Sequence, residues 1–220
     1  MRTFFKKITN PVFKRLFLWY HSKSRKFTYK GISVNVPLEV FPPHFTISTK
    51  IILSFLTNLN LKEKTLLELG CGSGIISLFS ASKGAIVTAS DINKIALQNL
   101  DDSSIKNKLP LTTIYSDLFE NILQTHFDYI IINPPYYPKA PKNIKEQAWF
   151  CGENFEYFER LFYQISNKID FENIYIILSQ DCDLKKIQSI SAKNKLKMKM
   201  ILKKTVFFED NYIFQLQQIS

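Results

Sequence analysis

Between residues 65 and 178, short apolar runs alternate with helical stretches, and this alternation restricts the chain more than any other feature. The runs at 65–69, 85–89, 112–115, 127–132 and 173–178 read as strands. Between or after them, helical patterns are expected at 74–82, 94–99, 155–167 and 184–191. Repeated strand–helix units predict a parallel sheet covered by helices. Two further apolar stretches, 197–208 and 212–218, are joined by Glu209-Asp210-Asn211 and predict an antiparallel hairpin at one edge. The expected architecture is an α/β, Rossmann-like, seven-stranded and mostly parallel sheet with an antiparallel C-terminal hairpin.

The first part of the chain has a different character. Asn10-Pro11 reads as cap and first residue of a helix over 10–20. Residues 26–29 and 32–36 read as two short strands turning at Lys30-Gly31, and a proline-marked loop leads to a helix over 46–56. The formal charge of +10 is concentrated here: residues 1–38 hold nine basic side chains and no acid, leaving 20 basic and 19 acidic ones elsewhere. The expected division is a basic, aromatic annex over 1–45 and a main domain over 46–220. Cations interleaved with aromatics suit RNA contact through residues 1–30. An aromatic helix face docked on the core suits the same residues, and a membrane-surface helix ranks last.

Cys71, Cys151 and Cys182 form no CxxC pair and stand apart from any histidine cluster, so neither a disulfide framework nor a metal site is expected. That usage, with apolar runs too short to cross a bilayer, predicts a cytoplasmic protein. Pro11, Lys14 and Arg15 interrupt any signal-peptide core, so the N-terminus is expected to stay in the mature chain.

Four signals sit at the carboxyl ends of successive predicted strands, where open α/β sheets bind ligands. In Glu68-Leu69-Gly70-Cys71-Gly72-Ser73-Gly74 the glycines recur at every second position, unlike the dinucleotide fingerprint, and permit a sharp turn close to a ligand. Plain strand-to-helix packing would also use them. Asp91 ends the next strand, where its carboxylate can accept both hydrogens of a ribose diol or simply cap a helix. In Ser116-Asp117-Leu118-Phe119 an acid can meet an adenine amino group, or the segment can be a surface turn. Asn133-Pro134-Pro135-Tyr136 is the most specific of the four. The prolines stop the sheet and aim the Asn133 side chain and the Pro134 carbonyl at one spot. Two such acceptors suit the hydrogens of an NH2 group, and Tyr136 can stack on the planar group bearing it.

Taken in order, Glu68 to Gly74, Asp91, Asp117 and Asn133 to Tyr136 resemble the motif set of class I S-adenosylmethionine-dependent methyltransferases that modify exocyclic or amide nitrogens. The stretch Ala148-Trp149-Phe150-Cys151-Gly152-Glu153-Asn154, with Arg160 and Phe162 beyond, resembles the HemK family, which methylates a glutamine amide of peptide-chain release factors. Cys151 and Phe155 stand where that family usually has glycine. The approach from Val40 through Pro42-Pro43 to Thr49 is closer to the methyltransferase small group, which includes rRNA guanine-N2 enzymes.

The resemblance implies S-adenosylmethionine as cofactor and S-adenosylhomocysteine as product. It implies Thr49 at the methionine carboxylate, and Glu68, Gly70, Gly72 and Gly74 along the methionine side. Asp91 would meet the ribose and Asp117 the adenine, with Cys71, Ile92, Leu118 and Asn133 also touching the cofactor. Asn133, Pro134 and Tyr136 would act in catalysis, with no metal. The substrate expected first is a protein glutamine N5 of the translation apparatus. An RNA base amine is the alternative, followed by a small molecule or a non-catalytic binding module.

Overall fold

The computed structural model describes residues 23–40, 42–43 and 46–219. The helix expected over 10–20 and most of the basic annex lie outside the described residues. Strands β1 (Arg25–Tyr29) and β2 (Ile32–Val36) form the expected antiparallel hairpin. Its turn, Lys30-Gly31, has φ of 46° and 85°, the pair of left-handed residues that suits a two-residue hairpin loop. Next come α1 (Ile47–Leu56), β3 (Thr65–Leu69), α2 (Ile75–Ser82), β4 (Ile86–Asp91), α3 (Lys94–Asn107) and β5 (Thr112–Tyr115). The chain then runs through β6 (His126–Ile132), α4 (Ile144–Gln147), α5 (Glu156–Lys168), β7 (Asp170–Ser179) and α6 (Leu184–Lys193). It ends in β8 (Leu196–Val206) and β9 (Glu209–Gln218).

Seven strands make one sheet in the order β5-β4-β3-β6-β7-β9-β8. The first five in that order are mutually parallel, and β9 pairs antiparallel with both β7 and β8, as the sequence predicts. From β3 the chain winds outward to β5, then returns to the other side of β3 as β6. The connections leaving β3 and β6 therefore part in opposite directions above the strand ends, and a crevice opens there.

The interior strands are buried on both faces. Leu66, Val87, Ala89, Ile131, Ile177 and Ile213 face α1, α2 and the β1–β2 hairpin. Leu67, Ile130, Ile132, Ile174, Ile176 and Leu178 face α5 and α6, whose Phe158, Leu161, Phe162, Ile187 and Ile190 are fully buried. Phe27, Ile32, Val34 and Val36 of the hairpin join the first of these cores.

Several features differ from expectation. Helix α3 runs eight residues past its predicted end at Asn99, because polar side chains from Asn99 to Asn107 have partners that the sequence hides. Asn107 Oδ1 accepts the Ser33 N–H at 3.0 Å, and its Nδ2 donates to the Ser33 carbonyl at 2.8 Å. Asn99 Nδ2 donates to the Asn35 carbonyl at 2.6 Å. Two side-chain amides thus hold the edge of β2 much as a neighbouring strand would.

The C-terminal hairpin turns at Phe207-Phe208, with φ of 50° and 63°, and not at Glu209-Asp210-Asn211, which opens β9. A short helix, α4, was not anticipated; Asn143 caps it by accepting the Glu146 N–H. No helix among the described residues is long and apolar enough to cross a membrane, and no cluster of metal-ligating side chains occurs among them.

Candidate active site

A cavity of about 380 Å³ opens above the carboxyl ends of β3, β4 and β6. That is within the range of small-molecule sites, roughly 300–1,000 Å³. Thr49, Glu68, Gly70, Cys71, Gly72, Asp91, Ile92, Asp117, Leu118, Asn133, Pro134 and Tyr136 all stand in its wall. Residues up to 87 positions apart in the chain meet there because each follows a different strand or opens a helix beside one.

At the end of β3 the chain leaves with Gly70 at φ 76° and Gly72 at φ 50°. The Gly70 and Cys71 N–H groups both donate to the Ser90 carbonyl, at 2.8 and 2.9 Å, so the turn is stitched to β4. Space around the missing Gly72 side chain is open. Gly74 differs from the other two. It stands outside the cavity wall at φ 74°, and a β-carbon there would press into the Leu100 side chain. Its smallness serves the packing of α2 on α3, so the contact expected between Gly74 and a ligand has no counterpart in this geometry.

Glu68 is buried, and its Oε2 accepts both the N–H and the hydroxyl of Ser77 on α2. Burial pushes its pKa up to about 8, against the opposing pull of those two hydrogen bonds. Around neutrality the carboxyl therefore keeps its proton. Cys71 remains a thiol, since burial first and the neighbouring Asp91 and Glu68 carboxyls second push it well above its ordinary range.

Asp91 is not the cap of α3; Asn93 is, through its side-chain acceptance of the Ile95 N–H. Instead Asp91 Oδ2 accepts the Gly72 N–H and Oδ1 accepts the Asn93 N–H, both at 2.8 Å. Each oxygen keeps a further lone pair, and the two fixed bonds orient the carboxylate in the cavity wall. Burial raises its pKa and the backbone donors oppose that rise.

Asp117 is drawn toward α5: Arg160 Nη2 bonds its Oδ2 at 2.7 Å and Glu120 Oε1 at 3.0 Å. The ion pair is half exposed, so it acts mainly to orient Asp117 rather than to stabilise the fold. Leu118 sits at φ 51°, in a turn held by the Ser116 hydroxyl, which donates to the Leu118 carbonyl and accepts the Asn121 N–H.

At the end of β6, Asn133 is half buried, and its side-chain amide has no hydrogen-bond partner among the described residues. The two prolines carry the chain to Tyr137, whose backbone N–H donates to the Trp149 carbonyl and whose carbonyl accepts the Cys151 N–H. Tyr136 bonds Ser179 and Tyr137 through its hydroxyl, and burial pushes its pKa up to about 12, so the phenol stays neutral. The rings of Tyr136 and Tyr137 lie 4.7 Å apart. Phe155, at a position where the HemK pattern has glycine, adopts φ 66° just before α5, and its ring is buried in the second core. The conformation favours glycine; burial of the ring offsets its strain.

Sequence reasoning missed several parts of the wall. Tyr157 falls off the apolar face of α5 and so carried no periodic signal, yet it reaches the cavity wall with a half-buried side chain packed against the second core. Asn211 and Glu209 join the wall only because the hairpin turn comes two residues earlier than expected. Ser90 Oγ is the one buried side-chain polar atom without a hydrogen-bond partner among the described residues, and Ser90 also lies in the wall. A pocket with an orphan buried hydroxyl, an oriented carboxylate and an open glycine turn suits a polar nucleoside-bearing ligand.

An open sheet of this order, with its crevice formed by a glycine turn, an acid and an Asn-Pro-Pro-Tyr segment, defines a class I methyltransferase. The family model for the methyltransferase small domain matches residues 41–149. A Methanocaldococcus jannaschii protein carrying the provisional name of protein N5-glutamine methyltransferase is 30% identical over 155 residues, covering 68% of this chain and 76% of that protein. Ribosomal RNA small subunit methyltransferase C of Haemophilus ducreyi is 31% identical over 106 residues, 47% of this chain. The match spans about a third of that relative, 32% of its length. Among solved structures, the E. cuniculi Mtq2-Trm112 complex, described as responsible for methylation of the eRF1 translation termination factor, superposes with a TM-score of 0.62. That likeness covers 83% of this chain and 99% of the other at 18% identity, and concerns the fold. The chain belongs to the methyltransferase small domain family and is an S-adenosylmethionine-dependent methyltransferase.

Proposed function

We propose that this enzyme methylates a planar NH2 nitrogen, and that the nitrogen is the side-chain amide of a protein glutamine. The observation that carries the reading is Asn133: an amide without a partner among the described residues, in the cavity wall, followed by two prolines and Tyr136. Asn133 Oδ1 and the Pro134 carbonyl accept the two N–H hydrogens of the acceptor, and Tyr136, its phenol anchored at Ser179, packs on the flat group. Such a nitrogen is a weak nucleophile because its lone pair is delocalised into the carbonyl. Holding both hydrogens orients that lone pair, and the two acceptors stabilise positive charge as it grows on nitrogen.

S-Adenosylmethionine supplies the electrophilic methyl group. Asp91 takes its ribose hydroxyls and Asp117, steadied by Arg160, its adenine amino group. Thr49, Cys71 and the Gly70–Gly72 turn line the methionine side, with Ile92 and Leu118 against the nucleoside. The nitrogen loses its proton to water once the new bond forms, so no dedicated base is required. Support for a protein substrate comes from the Methanocaldococcus relative, which covers more of this chain than the RNA-directed Haemophilus one. The translation apparatus is the setting of this reading, because the Haemophilus relative is named for ribosomal RNA and the Mtq2-Trm112 complex for a translation termination factor.

Transfer of tritiated methyl from S-adenosylmethionine to purified release factor, ribosomal proteins and ribosomal RNA tests the substrate. Protease-sensitive label is expected; RNase-sensitive label would move the reading to a base amine. Asn133→Ala should lower kcat by about 100-fold or more at saturating cofactor, the usual scale for losing one such group. An undiminished kcat would remove Asn133 from the mechanism.

A further inference from the structure

The turn of the β8–β9 hairpin exposes two phenylalanines that nothing among the described residues covers. Phe207 is 87% and Phe208 98% exposed, and both occupy left-handed backbone that favours asparagine and glycine. A sterically unfavourable choice that also leaves two aromatic rings in water does nothing for the fold. The turn is nonetheless firmly braced. Thr205 Oγ1 donates to Asp210 Oδ1 at 2.6 Å, Lys203 pairs with Asp210 Oδ2 at 2.7 Å, and Gln180 Oε1 accepts the Asp210 N–H at 3.1 Å. Its location matters as well. Glu209 and Asn211, immediately beyond the tip, are part of the cavity wall together with Tyr136 and Tyr137. The tip therefore adjoins residues of the cavity in which Asn133 stands.

We propose that Phe207-Phe208 is the docking element for the protein substrate, anchored in an apolar recess on that protein's folded surface. This rests on the reading of a protein amide as acceptor. Rigid aromatic anchors concentrate binding energy at interfaces in this way. Along β8, Lys197, Lys199 and Lys204 pair in register with Gln217, Gln215 and Asn211, and take part in no ion pair among the described residues. They suit acidic residues flanking the recess. At the root of the tip the charge is of the opposite sign: the Glu209 and Asp181 carboxylates both act on Tyr137, beside the cavity. The acids flanking the recess would therefore lie over the β8 lysines and not over this root, and an RNA acceptor is an outcome that the test distinguishes.

The test is the variant Phe207→Asn/Phe208→Gly, which places the residues preferred by a two-residue turn and so keeps the hairpin intact. Wild type and variant are compared on a folded peptide-chain release factor and on a short unfolded peptide carrying its glutamine. A rise of tenfold or more in KM for the folded factor, with kcat and the peptide reaction unchanged, is expected. Equal kinetics on both acceptors, with protease-sensitive label, would overturn the docking role and leave the substrate class standing. RNase-sensitive label from wild type would overturn the substrate class and the docking proposal together.

Discussion

Glu68 shows how a single buried group couples the site to pH. Its ordinary carboxyl pKa of 4.5 rises to about 8 in the folded chain. Between those values the unfolded state has released the proton and the folded state has not. Stability from this group is therefore largest at low pH, falls as pH rises from about 4.5 to about 8, and is level above. Glu68→Gln keeps an acceptor for Ser77 but removes the titration. Thermal melts of both proteins from pH 5 to pH 9 should show the wild type losing Tm relative to the variant as pH rises; a constant gap would refute the assignment. Gly74 illustrates a different constraint, in which the backbone conformation and the Leu100 side chain both exclude a β-carbon. Gly74→Ala should cost about 2–4 kcal/mol in denaturant unfolding, the sum of an overpacking and a left-handed penalty. Adding Leu100→Ala should recover part of that loss relative to Leu100→Ala alone, since the two residues share one contact.

At the scale of elements, polar residues decided what apolar patterning could not. The second half of α3 lacks an apolar stripe, and the sequence offered no reason for it to continue. Asn107, clasping both backbone groups of Ser33, supplies one. Asn107→Ala leaves those groups short of partners and should destabilise the β1–β2 hairpin by about 1–3 kcal/mol. Hydrogen exchange would register this as faster exchange at Ser33, with the amides of β3 and β6 unchanged. At the C-terminal hairpin, phenylalanine is a strand former and Glu-Asp-Asn a turn former, so local preference pointed to the wrong turn. The Asp210 and Gln180 network overrides it, and it involves residues 30 positions apart.

The whole molecule is an assembly around one crevice, and that makes ligand binding and stability inseparable. S-Adenosylhomocysteine bound to the folded state alone should add about 2.7 kcal/mol at a hundredfold excess over its Kd. For a chain of this size the corresponding rise in Tm is roughly 5–10 °C. Asp91→Ala, which removes the carboxylate held by Gly72 and Asn93, should abolish most of that rise as read by differential scanning fluorimetry. A rise equal to that of the wild type would show that the ligand binds elsewhere.

The order of strands and helices, the parallel sheet and the position of each motif at a strand end were legible in the sequence. They depend on periodicity and on the glycines, acids and prolines that terminate strands, which are local properties. The crevice residues could be named for the same reason, since in an open parallel sheet the strand ends converge whatever fills the helices. Other features depended on contacts between distant residues. Gly74 faces Leu100 instead of the cavity, Arg160 steadies Asp117, and Tyr157 and Asn211 enter the wall, because of how α3, α5 and β9 pack. Side-chain amides that bond a strand edge, and a turn held open against the preference of its own residues, leave no periodic trace. Only the tertiary structure decides them, because the partner that makes each one favourable is far away in the chain.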